Sequence, residues 1–442
     1  MTPEYIAKAT PNPPQNRAPW YANTAPTYAG IFLWIAFYRM MGAGTLAKAD
    51  LGTCIVGLVA AGLLCHFLYY LVPGLLGMKT GLPLYVVGSS TFGAQGGYLM
   101  PGLLMGLLQI GWFGVATSIS TDFILKAAGS SDGPGTMPFI VTGVLWGVVF
   151  AFVGAKGIQY VARVATYLNF IPLLMLIVVF FQTPGSPLDY QPAAGQADEF
   201  AAFTTMLAVV IGFFATAGAA GADFGTNSRH ASDVQWGGLI GVTLTTVIVG
   251  VLALATLAAA NAVNPNTGFD YATAIQAIGG PIASSMFLLF ALASIPATCF
   301  CIFIAGNSIS TMFPQVSRIA ASFAAAGVGI ILAVTGIANN LASFFGLVGA
   351  SFGPICGAMA ADYLLSGRKW AGPRQGINMA GYAAWLLGFI VGILPNFLSG
   401  DAKRLAEPAA LYSFIVGFVV YAIAAKAGME PEPLEKSAAK SA

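Results

Sequence analysis

Apolar residues in this chain fall in long unbroken runs rather than in alternating or striped patterns. A bilayer core is crossed by about 20 consecutive apolar residues in helical form. Runs of that kind recur at 27–46, 52–76, 98–125, 137–155, 158–182, 200–224, 235–260, 282–310, 318–338, 341–364, 379–398 and 408–426. The pattern predicts an all-α polytopic membrane protein of about 12 spans, numbered here span 1 to span 12. Polar residues gather between the runs and at both ends. Residues 1–26 carry several prolines and lack the basic-then-apolar order of a cleavable signal, so they are expected to form a mobile cytoplasmic tail. Residues 427–442 form a second tail.

Composition points the same way. Hydrophobic residues make up 57% of the chain and charged residues only 8%, against about 25% charged in soluble domains. With the N-terminus inside, the inner loops hold Lys79, Lys156, Arg163, Arg229, Arg318, Arg368, Lys369 and Arg374, and the outer loops only Lys48, Lys126, Lys403 and Arg404. The positive-inside rule then places both tails in the cytoplasm and the chain in a plasma (inner) membrane. No run of Lys and Arg exists to bind nucleic acid. Cys54, Cys65, Cys299, Cys301 and Cys356 sit in apolar segments without a C-x-x-C pair, so neither a disulfide framework nor a zinc site is expected. An intramembrane enzyme would need clustered His, Asp or Glu, and the spans offer only the scattered His66 and Asp122. No cofactor is implied. His66 is read as a donor to a neighbouring carbonyl, and Asp122 receives no role.

A second pattern lies in the small residues. Span 1 carries "MMGAGTLAKAD" and span 6 carries "TAGAAGADF", two Gly/Ala clusters centred near Ala43 and Ala219, 176 residues apart. The same offset carries span 3 onto span 8. Residues 27–182 and 183–364 thus read as two five-span copies, the second inverted because five is odd, followed by two accessory spans in 365–426. Paired interruptions in corresponding spans point to a secondary transporter. Backbone groups freed at mid-membrane need a cavity, ligand or ion to satisfy them. Close helix packing is the competing reading of either cluster alone. Gly349, Gly353 and Gly357, spaced by four in span 10, are read as packing only.

Candidate site residues follow. In "GLLQIGWFGVATS" of span 3, Gln109 and Trp112 are three apart and share a helical face. Phe213 and Phe214 lie one turn before the span 6 cluster that contains Gly218. A small planar ring would stack between Trp112 and Phe214 while Gln109 and freed backbone groups bond its edge. The competing reading is an apolar core with one satisfied glutamine. Arg39 is the one cation left inside a span, roughly 18 Å along a helix that starts near Thr27. Such a placement costs about 2.5–3.5 kcal/mol on insertion scales.

The segments "GLLQIGWFGVATS", "ADFGTNSRHASDV" and "GASFGPICGAMAADYLL" resemble the nucleobase–cation symporter family 1, nearest its cytosine-permease branch. The resemblance implies a leucine-transporter-type fold of two inverted fives with discontinuous helices 1 and 6. It also implies alternating access around a central site for a nucleobase or related heterocycle. In that family the base stacks between aromatics of the third and sixth helices, corresponding to Trp112 and Phe214, and a glutamine corresponding to Gln109 bonds the ring. Two departures stand out. Where sodium-using relatives supply oxygens from the eighth helix, this chain has Ala293, Pro296 and Ala297, with Ser294 and Thr298 each one residue away. A proton or no coupling ion is therefore favoured over sodium, although Pro296 frees the Leu292 carbonyl. Arg39 stands where relatives have small or polar residues. Four roles stay open for it: binding an anionic or carbonyl-rich substrate, replacing sodium as a fixed charge, an outer gate with an acid, or pairing with backbone carbonyls. The expected function is a permease for a cytosine-like pyrimidine or related heterocycle, with a carrier of anionic heterocycles held by Arg39 and a non-transporting sensor as alternatives.

Overall fold

The computed structural model describes residues 3–39, 41–157, 168, 171–193 and 195–434. The start of span 5, most of 158–170, lies outside the described residues, as do Met40 and the last eight residues. Helix 1 comprises two pieces, Thr24–Phe32 and Ile35–Tyr38. Helices 2, 3 and 4 are Leu51–Thr80, Tyr98–Ala127 and Met137–Lys156, and helix 5 is described over Ile171–Gln182. Helix 6 is Glu199–Ala219 followed by Gly221–Gly225. Helices 7 to 12 are Ala231–Val263, Gly280–Met312, Arg318–Val334, Leu341–Leu365, Met379–Asn396 and Ala409–Lys426. Among the described residues nine of these helices are each long and apolar enough to cross a bilayer unaided. Helix 1 is interrupted, and helices 5 and 9 are shorter apolar helices.

Helix 6 breaks where the small residues predict, at Ala220 (φ −63°, ψ −5°). Helix 1 does not. Its interruption is at Leu33–Trp34, where Trp34 is extended (φ −70°, ψ 131°), about ten residues before the Gly42–Gly44 cluster. Any L-residue adopts that backbone conformation, so the break needs no glycine. Gly42 and Gly44 instead allow close packing. A Cβ on Gly42 would stand 2.7 Å from Leu257 Cδ1, and one on Gly44 2.6 Å from Thr205 Cγ2. The earlier break also moves Arg39 from the expected mid-membrane position to the far end of helix 1, as the residue that closes its second piece.

Repetition is visible in backbone geometry. Helix 2 contains a wide turn over Cys65–Tyr70 and helix 7 another over Leu239–Leu244, their starts 174 residues apart and the two turns in contact. Wide turns of this type insert one extra residue into a helix. Helix 8 bends at Ser294, between Gly280–Ala293 and Ile295–Met312. There Pro296 withholds a backbone donor.

Helix 3 packs against helices 8 and 9, and helix 6 lies between helices 2 and 10. Helices 11 and 12 cover helix 10. The glycine ridge of helix 10 is a packing device, as expected. A Cβ on Gly349 would meet Ala410 Cβ at 2.9 Å, and one on Gly357 would meet the Phe414 carbonyl at 2.2 Å.

Both ends of the described chain lie on one face of the bundle, called here the tail face. The Tyr5 hydroxyl donates to the Ala94 carbonyl, and Ala94 and Leu434 N–H groups donate to the Arg374 and Pro373 carbonyls. The N-terminal stretch is docked rather than free, contrary to the expectation of a mobile tail. Asn12 Nδ2 donates to the Thr226 carbonyl at 3.0 Å and Arg17 to the Met78 carbonyl at 2.7 Å. Unsatisfied carbonyls at helix ends explain the docking, since each otherwise needs water or a cap. Beneath it, buried Arg374 pairs with Asp362 of helix 10 at 2.9 Å and Glu430 at 3.0 Å, while Ser90 and Thr91 donate to the other Asp362 oxygen.

Candidate functional site

Three helices converge at the level of the two breaks. Gln109 and Trp112 of helix 3 are both buried and adjacent, as their spacing predicts. Trp112 Nε1 donates to Thr216 Oγ1 of helix 6 at 3.3 Å. Gln109 Nε2 makes a single weak contact, to Met105 Sδ at 3.6 Å. A primary amide offers two donors and an acceptor, so most of its capacity is unspent.

Trp34, at the break of helix 1, completes the cluster. Its ring lies 5.6 Å from that of Trp112 and 6.2 Å from that of Phe213, between centroids. Phe345 of helix 10 covers the other side of Trp112 at 5.4 Å. The Trp34 indole N–H is buried with no acceptor among the described residues. Leaving a buried donor unsatisfied costs about 1–3 kcal/mol, which a ligand carbonyl would relieve. Sequence reasoning missed Trp34 and Thr216. The available signal was an indole on the first span, opposite a second indole on the third.

The two phenylalanines of helix 6 divide. Phe213 meets Trp112 edge-on at 5.3 Å and 82°. Phe214 stacks instead on Phe32 of helix 1, at 5.4 Å and 14°, and so does not face Trp112 across a gap. Gly218 does not open toward this cluster. A Cβ there would lie 2.7 Å from Tyr69 Cβ, so the residue permits contact with helix 2. Ser294 lies at the bend of helix 8, 2.5 Å from Ser120 Oγ of helix 3, and also donates to the Ala291 carbonyl. Thr298 donates to the Ser294 carbonyl at 2.7 Å.

Arg39 is apart from all of these. Its Nη2 pairs with Asp122 at 2.7 Å and its Nε with Asp270 at 3.1 Å, while Lys126 reaches Asp122 at 3.0 Å. Asp122 is ten residues beyond Trp112 on the same helix, an axial separation of about 15 Å. The guanidinium also lies over the Phe123 ring, 5.4 Å from its centroid. Its carbonyl accepts the Tyr271 N–H at 3.0 Å. Two carboxylates thus take up the Nε and Nη2 donors, the pairing with acids that a gate role calls for. Asp270 opens a short helix, Tyr271–Ile278, between helices 7 and 8. The cluster therefore ties helices 1 and 3 and that short helix together on the face opposite the tails.

On the tail side a cavity of about 530 Å³ reaches inward to Met105 and Ala220. These residues are respectively one turn from Gln109 and one turn from Thr216, so the cavity ends directly below the aromatic cluster. It shares Tyr98, Ser310 and Thr311 with a surface groove beside Glu4 and Lys8. Tyr98 donates to helix 8 carbonyls at Thr311 and Met312. The aromatic cluster thus lies between a cavity on the tail side and the Arg39 cluster on the other.

Comparison with known proteins adds three findings. A family described as "Permease for cytosine/purines, uracil, thiamine, allantoin" matches residues 11–417. Cytosine permeases of Escherichia coli strain K12 and of Escherichia coli O157:H7 are each 28% identical over 187 residues, 40% of this chain. The match spans 39% of the length of those curated relatives. Among solved structures, the chain is similar to an inward-facing conformation of Mhp1, with TM-score 0.72 and 17% identity over 97% of this chain and 95% of that one. Mhp1 in a closed conformation with bromovinylhydantoin bound, described as a nucleobase-cation-symport-1 family transporter, gives 0.67 and 16% over 94% and 95%. A sodium-coupled sialic acid symporter in a substrate-bound outward-open state gives 0.62 and 14% over 95% and 92%.

Proposed function

The chain belongs to the permease family for cytosine/purines, uracil, thiamine and allantoin, and on that premise we propose that it carries a neutral planar nitrogen heterocycle, cytosine-like or a related nucleobase, by alternating access. One observation supports this most. Trp34 and Gln109 hold unspent hydrogen-bonding groups beside Trp112, at the seam of two interrupted helices and at the head of a cavity open to one face. A base offers ring carbonyls to the Trp34 N–H, both donor and acceptor edges to Gln109, and a flat surface to the indoles. Side-chain motion at Trp34 or Phe213 would make the space for it.

The tail face is the cytoplasmic one in this reading, from the distribution of loop Lys and Arg. The conformation described would then face inward. Opening the other face requires release of Arg39 from Asp122 and Asp270. Coupling to a proton, or no coupling, is favoured over sodium, since helix 8 presents Ala293, Pro296 and Ala297 at the bend. Uptake of labelled bases into proteoliposomes, run with proton, sodium or no gradient, tests the whole reading. Saturable uptake of a base that is unchanged on removing sodium is the expected result. Trp112→Ala should reduce it at least tenfold. Uptake that needs sodium, or survives Trp112→Ala intact, contradicts the corresponding part.

A further inference from the structure

The cavity below the aromatic cluster has polar walls that the mechanism above leaves unused. Asp223 follows the break of helix 6 and lines it. Its Oδ1 accepts the Leu84 N–H at 3.1 Å. Among the described residues, no cation lies within ion-pair distance of it. Asn307 and Ser308 of helix 8 line the same space, and neither side chain makes a hydrogen bond to a described residue. Tyr85 also lines it, and its hydroxyl is likewise unpartnered. Burial, followed by the Asp223 charge, raises the Tyr85 phenol above its usual range, so it remains a neutral donor. Phe224 and Phe300 supply a flat apolar platform on the same walls, with ring centroids 6.3 Å apart and planes at 21°.

We propose that this cavity is a second binding subsite, which takes a planar heterocycle bearing ring or exocyclic N–H groups, on the path between the central site and the tail face. Ring N–H groups donate to the open Asp223 oxygen, and charge-assisted bonds of this kind are roughly twice as strong as neutral ones. Asn307 and Tyr85 address the remaining edge of the ring, and the Phe300 platform holds its face. A lone carboxylate without a cation also selects by sign. An amino-substituted base is attracted and a carboxylated one is repelled. The subsite therefore restricts the permeant to neutral or protonated amino and imino heterocycles and disfavours the anionic ones considered for Arg39. The inference rests on the proposed transport reading and extends it.

Equilibrium binding of radiolabelled cytosine to the full-length protein in nanodiscs tests it, with unlabelled orotic acid, a carboxylated pyrimidine, as competitor. Wild type should bind two equivalents, one tight and one weak. Asp223→Asn keeps an acceptor for Leu84 and removes the charge. It should weaken the second equivalent at least tenfold and spare the first, whereas Trp112→Ala should do the reverse. Orotic acid should fail to displace the weak equivalent. Should Asp223→Asn disturb folding, Asn307→Leu on the opposite wall reads the same site. One equivalent only, abolished by Trp112→Ala and untouched by either cavity variant, overturns the subsite and leaves the central site standing. No binding of cytosine to wild type overturns both.

Discussion

Trp34 carries the sharpest expectation for a single side chain. Trp34→Phe keeps a ring in the cluster and deletes the orphan N–H. The variant should be as stable as wild type or slightly more so, since a buried unsatisfied donor is removed. Its affinity for a carbonyl-bearing base should fall about 2–10-fold, the worth of one neutral hydrogen bond of about 0.5–1.5 kcal/mol. Thermal unfolding with and without ligand reads both effects, and a variant that binds more tightly contradicts the role. Gln109 and Trp112 were legible as a buried pair because a spacing of three fixes a shared face in any helix. Phe213 and Phe214 were not separable, because adjacent residues differ by about 100° in helical phase. How helix 6 is rotated against its neighbours decides which of the two meets Trp112. Trp34 left no glycine or proline mark, so its extended backbone could not be read in advance.

At the scale of the element, helices 2 and 6 cross in backbone contact. A Cβ on Gly77 would stand 1.9 Å from the Ala222 carbonyl oxygen, and one on Gly225 2.3 Å from that of Gly74. Neither neighbour is a flexible side chain, so the helices themselves would have to separate. Gly77→Ala should destabilise by about 1–3 kcal/mol, as overpacking does. Gly346→Ala, on an exposed stretch of helix 10 with nothing within 4 Å, should be neutral or stabilising. Melting temperatures of the two variants in detergent make the comparison, and equal values would discount the crossing. The helices themselves were readable from hydropathy because a bilayer demands long apolar runs. The helix 6 interruption was readable from its small residues. The wide turns in helices 2 and 7 were not, since one inserted residue leaves a run of apolar positions looking the same. Docking of the N-terminal stretch was also hidden, because it depends on carbonyls whose exposure is known only once the helices end.

For the molecule as a whole, the proposed transport reading makes closure on the side away from the tails rest on few contacts. Asp270→Asn keeps the helix cap, as Asn caps nearly as well as Asp, and removes one charge from Arg39. A hydrogen bond to a charged group is worth about 1.5–3 kcal/mol, and about 1.4 kcal/mol is tenfold in population. Amide exchange across Tyr271–Ile278 should therefore accelerate about tenfold or more, since the Tyr271 N–H is held by the Arg39 carbonyl. Unchanged exchange would show that the pair does not hold that side shut. Sequence alone could not assign Arg39 because its partners lie 83 and 231 residues away, and the helix end that brings them together depends on the Trp34 break. The cluster has one further property. Arg39 and Lys126 balance Asp122 and Asp270, so the four groups together are electrically neutral. Moving one elementary charge through a 100 mV potential is worth about 2.3 kcal/mol, and within a neutral set the field does work only on the parts that separate when Arg39 leaves its acids. Voltage should therefore act on the proposed unlocking step only to the extent that Arg39 shifts relative to Asp122 and Asp270 along the membrane normal.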